Sequence, residues 1–186
     1  MATYLLVWNP NRWHWADLSD VAERVGRGER VVERWSCGSN KRIVQGDRVF
    51  LIRLGREPKG IIGSGTAVVE PFEDIHWQPE KAQLGKKARH IEFQFDALLD
   101  PDHEPILWRE RLKSEAPFSN MHWDTRSSGI RIPDDIAGEL ERVWLELVNP
   151  TAVTYQIIRI DSRSSMGKTI ILRKRFSLFW RCFAGL

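Results

Sequence analysis

Cysteine is scarce in this 186-residue chain: there are two, Cys37 and Cys182, too far apart in sequence to form a CxxC pair. That spacing excludes a disulfide framework and a cysteine-rich zinc site. No run of eighteen apolar residues occurs, which excludes a transmembrane helix. The opening Met1-Ala2-Thr3-Tyr4 lacks the basic region of a signal peptide, so the expected compartment is the cytoplasm. The five histidines fall at no HxxxH or HxH spacing, and neither a metal nor another cofactor is expected. No GxSxG occurs, Cys37 has no base partner recognisable in sequence, and no histidine follows His122 to build a ββα-metal nuclease centre. The string Ser162 to Thr169 ends in Gly167-Lys168-Thr169, but the first glycine of a phosphate loop would fall on Ser162. The expectation is a protein without a catalytic centre.

With 42% apolar and 28% charged residues, the composition is that of one soluble globular domain with a short appendage. Charge is unevenly spread. Residues 151–186 hold seven basic side chains and one acid, whereas the preceding 150 hold 21 basic and 24 acidic ones. Any contact of the main body with a polyanion must therefore use a local basic patch. The expected division is a domain over 1–149 and a basic tail over 150–186, for which a truncated or degenerate second domain ranks ahead of an amphipathic interaction tail or a stretch under little selection. The other excess is tryptophan, nine against two tyrosines, with Trp8, Trp13, Trp15, Trp35, Trp77 and Trp123 all in polar or loop-like contexts.

Thr3 to Trp8, closed by Asn9-Pro10, predicts a first strand. A helix is expected from Asp17 or Ser19, with Leu18, Val21, Ala22 and Val25 on one face and Gly26 and Gly28 at its end. Val49 to Ile52 is apolar on both faces, as in a central strand, and Gly60 to Val69 predicts its returning partner. Gly63 and Gly65 mark a bulge or a close backbone approach. Residues 71–88 read as a polar connection, His90 to Ala97 alternates as a strand, and Trp108 to Lys113 predicts a short helix. A longer helix opens at Pro133-Asp134, with Asp134 as N-cap and Ile136, Leu140, Val143 and Leu147 on its apolar face. Strands and helices without a βαβ rhythm predict an α+β fold with a curved or barrel-like mixed sheet.

Trp35-Ser36-Cys37-Gly38, Gly46-Asp47-Arg48-Val49-Phe50-Leu51 and Gly60-Ile61-Ile62-Gly63-Ser64-Gly65 form the most distinctive constellation. Two readings fit it. In one, an aromatic ring followed by small polar residues faces a glycine strand across a slot that takes a flat base. In the other, Trp35 fills a barrel interior and the glycines only bend strands.

This order of residues resembles an EVE domain of the PUA-like superfamily, related to the YTH readers of methylated RNA. Trp8-Asn9-Pro10 and Trp123-Asp124-Thr125-Arg126-Ser127-Ser128-Gly129-Ile130-Arg131-Ile132-Pro133 look like the variant fused to HNH nucleases in modification-dependent restriction enzymes. The resemblance spans residues 3–148. It implies a small β-barrel flanked by helices and an aromatic pocket that receives a flipped 5-methyl- or 5-hydroxymethylcytosine. Carried onto this chain, it makes Trp35, Ser36, Cys37, Trp8, Asn9, Trp77, Ser127, Ser128 and Gly129 the expected pocket. Lys41, Arg42, Arg53, Arg56, Lys59 and Arg126 are the expected phosphate contacts, Arg126 standing where the family pattern often has Gln. The expected partner is modified DNA. Because the family arrangement continues into a nuclease and no nuclease motif follows here, a reader is expected rather than an endonuclease. The alternatives are an RNA-binding PUA-like module and the recognition subunit of a nuclease completed by a partner.

Overall fold

The computed structural model describes residues 1–150. The basic segment from 151 onward, with the phosphate-loop-like string, lies outside the described residues. Among the described residues the fold is α+β, an eight-stranded mixed sheet with four α-helices. No helix among them is long and apolar enough to cross a membrane.

The chain runs through β1 (Thr3–Trp8), α1 (Leu18–Gly26), β2 (Val32–Gly38), β3 (Arg48–Arg53) and β4 (Gly60–Ala67). It continues through β5 (Phe72–Ile75), α2 (Pro79–Gln83), β6 (Lys87–Leu98), β7 (Leu107–Trp108), α3 (Arg109–Ser114), β8 (Ile130–Ile132) and α4 (Asp134–Val148). Strand order is β2-β6-β4-β3-β1-β8, with β5 added to β6 and β7 to β4. β1 and β3 pair in parallel, Leu5 opposite Phe50, and the other pairings are antiparallel.

β3 is central, as its two-sided apolar pattern predicts. Val49 and Leu51 enter one hydrophobic cluster with Trp8, Trp15, Trp35 and α1, while Phe50 and Ile52 enter a second with Trp123, Trp144 and α4. α1 buries Leu18, Val21, Ala22 and Val25, the predicted face. α4 buries Ile136, Leu140 and Val143 as expected and adds Trp144, whose indole N–H donates to the Ser64 hydroxyl (2.7 Å). Its N-cap is Pro133 rather than Asp134. Pro133 is the last extended residue, and no side chain caps the helix; Asp134 and Asp135 instead fill the first turn, where the helix dipole favours carboxylates.

Two elements fall inside the expected polar connection. β5 reads Phe-Glu-Asp-Ile, with no apolar alternation, and forms because its backbone pairs with the first part of β6, Phe72 opposite His90. The short α2 follows it. The register shifts where β4 passes Gly65. A Cβ on Gly65 would collide with the Gln94 carbonyl and the Phe93 ring, so this glycine allows two strands to close on each other. β4 also lies beyond β6 from β2, so the glycine strand does not form the opposite wall of a slot at Trp35.

Candidate functional site

The β1–β8 ladder ends at Leu5 opposite Ile130, with the Gly129 N–H donating to the Leu5 carbonyl (2.9 Å). Two residues further along β1 the strands have splayed, and Val7 needs other partners for its backbone. Side chains supply them. The Ser128 hydroxyl accepts from the Val7 N–H (3.1 Å), and the Trp35 indole N–H donates to the Val7 carbonyl (3.1 Å).

After β1 the chain turns back, the N–H groups of Arg12 and Trp13 donating to the Asn9 carbonyl (2.9 and 3.1 Å). The Trp8 indole N–H then donates to the Trp13 carbonyl (3.1 Å). This turn lays Trp13 edge-on against Trp35 (ring centroids 5.3 Å apart) and stacked on Trp15 (5.6 Å). Trp35 is only 6% exposed, while Trp13 is 40% exposed at the mouth.

The splay opens a cavity of about 540 Å³. Trp8, Trp13, Trp35 and Trp77 contribute aromatic surface to its wall, and Asn9, Ser36, Ser127 and Ser128 contribute polar groups. Trp77 arrives on the connection after β5, stacked on His76 (5.5 Å). Of the nine expected pocket residues, seven (Trp8, Asn9, Trp35, Ser36, Trp77, Ser127 and Ser128) are therefore brought together.

Cys37 and Gly129 are not on the wall. Cys37 is fully buried in the core, which pushes its thiol up to about 11. The turn at Gly129 has φ +78° and packs so closely on β2 that a Cβ would collide with the Cys37 carbonyl. What approaches this small-residue turn is the backbone of the protein itself.

Of the expected phosphate contacts, only Arg126 lines the cavity. Arg53 is 3% exposed, its guanidinium 5.3 Å over the Trp8 ring and paired to Asp102 (3.2 Å), so it is unavailable to a phosphate. Lys41, Arg42 and Arg56 are exposed and do not line the cavity, and Lys59 pairs with Glu57 (2.9 Å). The cations that do line it are Arg12, Arg34, Lys87, Arg89 and Arg126. Arg34 pairs with Asp74, and Arg89 with Glu73 (3.0 Å), both acids from β5. Arg12, Lys87 and Arg126 make no ion pair among the described residues. Sequence reasoning missed four of the five because their position depends on β2, β6 and the Trp13 turn meeting at one place. Arg34 and Arg89 carried the nearest available signal, flanking an aromatic and a histidine in strand-like runs.

Also missed on the wall are Trp13, His76 and, on β6, His90. His90 is 1% exposed, and neither ring nitrogen has a hydrogen-bond partner among the described residues. Burial is the main cause that lowers its pKa, with Arg34 adding repulsion; the Ala88 carbonyl opposes this without reaching hydrogen-bond geometry. The ring is thus neutral at pH 7. Among the described residues no three His, Cys, Asp or Glu side chains cluster as metal ligands would.

The fold is similar to that of a hypothetical protein from Leishmania major, with a TM-score of 0.57, 17% identity, and 78% of this chain and 96% of that chain covered. It is also similar to a Pseudomonas syringae protein (TM-score 0.55, 17% identity, 77% and 100% covered) and a Pseudomonas putida protein (0.53, 17%, 77% and 100%). These likenesses define a shared α+β fold. No family model and no curated protein matches the chain.

Proposed function

We propose that the protein is a DNA reader with a PUA-like, EVE-type architecture that accommodates a flipped 5-methyl- or 5-hydroxymethylcytosine, as the recognition part of a modification-dependent restriction system. One observation carries the reading: a cavity with indole surfaces opens at the edge of the sheet, beside a rim of cations. Its volume of about 540 Å³ falls within the range of small-molecule pockets, roughly 300–1,000 Å³. Extruding a base costs a few kcal/mol, and stacking on one aromatic side chain contributes about 1–3 kcal/mol. Two indoles are enough to offset that cost. The cations supply sequence-independent attraction to the backbone, and the cavity supplies discrimination.

Binding to matched duplexes carrying cytosine, 5-methylcytosine or 5-hydroxymethylcytosine, with a single-stranded RNA of the same sequence alongside, tests this. Preference for a modified duplex is the expected result. Tighter binding to the RNA would favour an RNA-binding module, and equal affinity for the three duplexes would overturn the reading.

A further inference from the structure

A charged side chain is buried against the aromatic wall at a cost that folding does not explain. Arg53 is 3% exposed, and its Nε has no hydrogen-bond partner among the described residues. Its ionic partner Asp102 (3.2 Å) has a side chain that is 68% exposed, and its remaining contact is a long one to the Glu57 carbonyl (3.5 Å). Replacing a buried ion pair with an apolar side chain of similar volume is often neutral or stabilising, so these contacts do not account for an arginine here. What the guanidinium does meet is an indole, lying over the Trp8 ring 5.3 Å from its centroid. Trp8 and Arg53 are register partners on β1 and β3 and share one face of the sheet. It is the face of Val49 and Leu51, which pack in the cluster that contains Trp15 and Trp35. Trp8 is held there at three points: by the guanidinium, by the Trp15 ring set edge-on at 5.8 Å, and by its own N–H donating to the Trp13 carbonyl (3.1 Å). The last of these reaches the turn that lays Trp13 against Trp35 at the cavity mouth.

We propose that Arg53 is a positioning residue for this cavity: its buried guanidinium fixes the Trp8 indole, and through the Trp8 N–H the turn that carries Trp13, without itself touching DNA. This rests on the modified-base reading above. A cation is attracted to the face of an indole, more strongly where water is excluded, and a planar guanidinium also stacks on the ring. An apolar side chain would fill the same space without that pull. Aromatic contacts depend on offset and angle, so a wall ring free to tilt holds a stacked base less well. Only an extruded base reaches these rings, whereas a duplex held by the rim cations alone is insensitive to them. Arg53 thus acts on the base and not on the phosphates.

The test uses the full chain with Arg53→Met and Arg53→Lys, on 5-methylcytosine and unmodified duplexes over a range of salt. Methionine keeps much of the volume and leaves Asp102 in water, so folding is retained. The expected result for Arg53→Met is wild-type affinity for the unmodified duplex and roughly 2- to 30-fold weaker binding to the modified one, the span of a cation–π contact. The slope of log affinity against log salt should not change, because no phosphate contact is lost. Arg53→Lys, which keeps a cation beside the indole, should recover part of the loss. Wild-type affinity for the modified duplex in a folded Arg53→Met protein would overturn the proposal and leave the reader function standing. Equal weakening on both duplexes would overturn it as well, and so would a slope flattened by about 1, the mark of a phosphate contact. Should Arg53→Met fail to fold, Arg53→Gln, which keeps donors for Asp102 and the Glu57 carbonyl but no charge, is read by the same criteria. A wild-type protein without preference for modified duplex would overturn the reader function first, and this proposal with it.

Discussion

Trp13 and Trp35 both face the cavity, but only one can be removed without damaging the fold. Trp35 is 6% exposed, packs against Trp13, Trp15 and Phe93 at centroid distances of 5.3, 5.1 and 6.4 Å, and ties β2 to β1 through Val7. Truncating so large a buried ring costs about 3–5 kcal/mol, a large share of the roughly 5–15 kcal/mol that holds a domain together. Trp35→Ala should therefore lose binding and folding together, and it tests nothing about stacking. Trp13 is 40% exposed, and the bond to the Trp8 indole comes from its backbone carbonyl, which truncation leaves in place. Trp13→Ala forfeits its ring contacts with Trp15 and Trp35, each contributing about 0.5–1.5 kcal/mol beyond burial. The variant should stay folded. Its affinity for a modified duplex should fall by about 1–3 kcal/mol, roughly 5- to 150-fold, if the ring stacks on the base. Fluorescence anisotropy at fixed salt, paired with a thermal melt, reads both quantities. Wild-type affinity for modified duplex in a folded Trp13→Ala protein would refute the stacking.

Replacing Arg12 and Arg126 with Gln should weaken binding to modified and unmodified duplexes alike and flatten the slope of log affinity against log salt by roughly 2. The quadruple Gln variant of Lys41, Arg42, Arg56 and Lys59 should leave that slope nearly unchanged; the reverse pattern in a salt titration would place the DNA backbone along these four residues instead. Because the folded pKa of His90 lies below its ordinary value of 6.5, the unfolded chain binds its proton first as pH falls. Stability from this group is therefore complete above about pH 6.5 and is lost as pH falls towards the lower, folded pKa. Urea denaturation below pH 6.5 should show wild type losing stability faster than His90→Phe, and parallel pH profiles would contradict the assignment. Gly129→Ala should cost about 1–3 kcal/mol through its positive φ alone, and more through the collision with the Cys37 carbonyl; a wild-type denaturation midpoint would show that the turn and β2 are free to separate.

Much of the fold was legible because hydrophobic periodicity reports burial directly. The two-sided apolar run of β3 could only be central, and the spacing of Leu18, Val21, Ala22 and Val25 could only be one helix face. β5 was not legible, since Glu73 and Asp74 break any apolar pattern and the strand exists only through pairing with β6. The site divides in the same way. Its aromatic members stood out because indoles are rare and costly to leave in polar surroundings, but it was the resemblance that singled out Trp8, Trp35 and Trp77 among them, and it passed over Trp13. Which cation faces the cavity is not encoded locally: a charged side chain looks alike on every surface, and only strand order brings Arg34, Lys87 and Arg89 beside Arg126 while turning Arg53 inward onto Trp8. Cys37 and His90 make the same point. Sequence offered Cys37 as a pocket member and passed over His90; the thiol is fully buried in the core, and the imidazole is buried with neither ring nitrogen paired among the described residues. Local chemistry determined the elements and the residue types on which a site could be built; register and strand order, which join residues far apart in the chain, decided which of them share it.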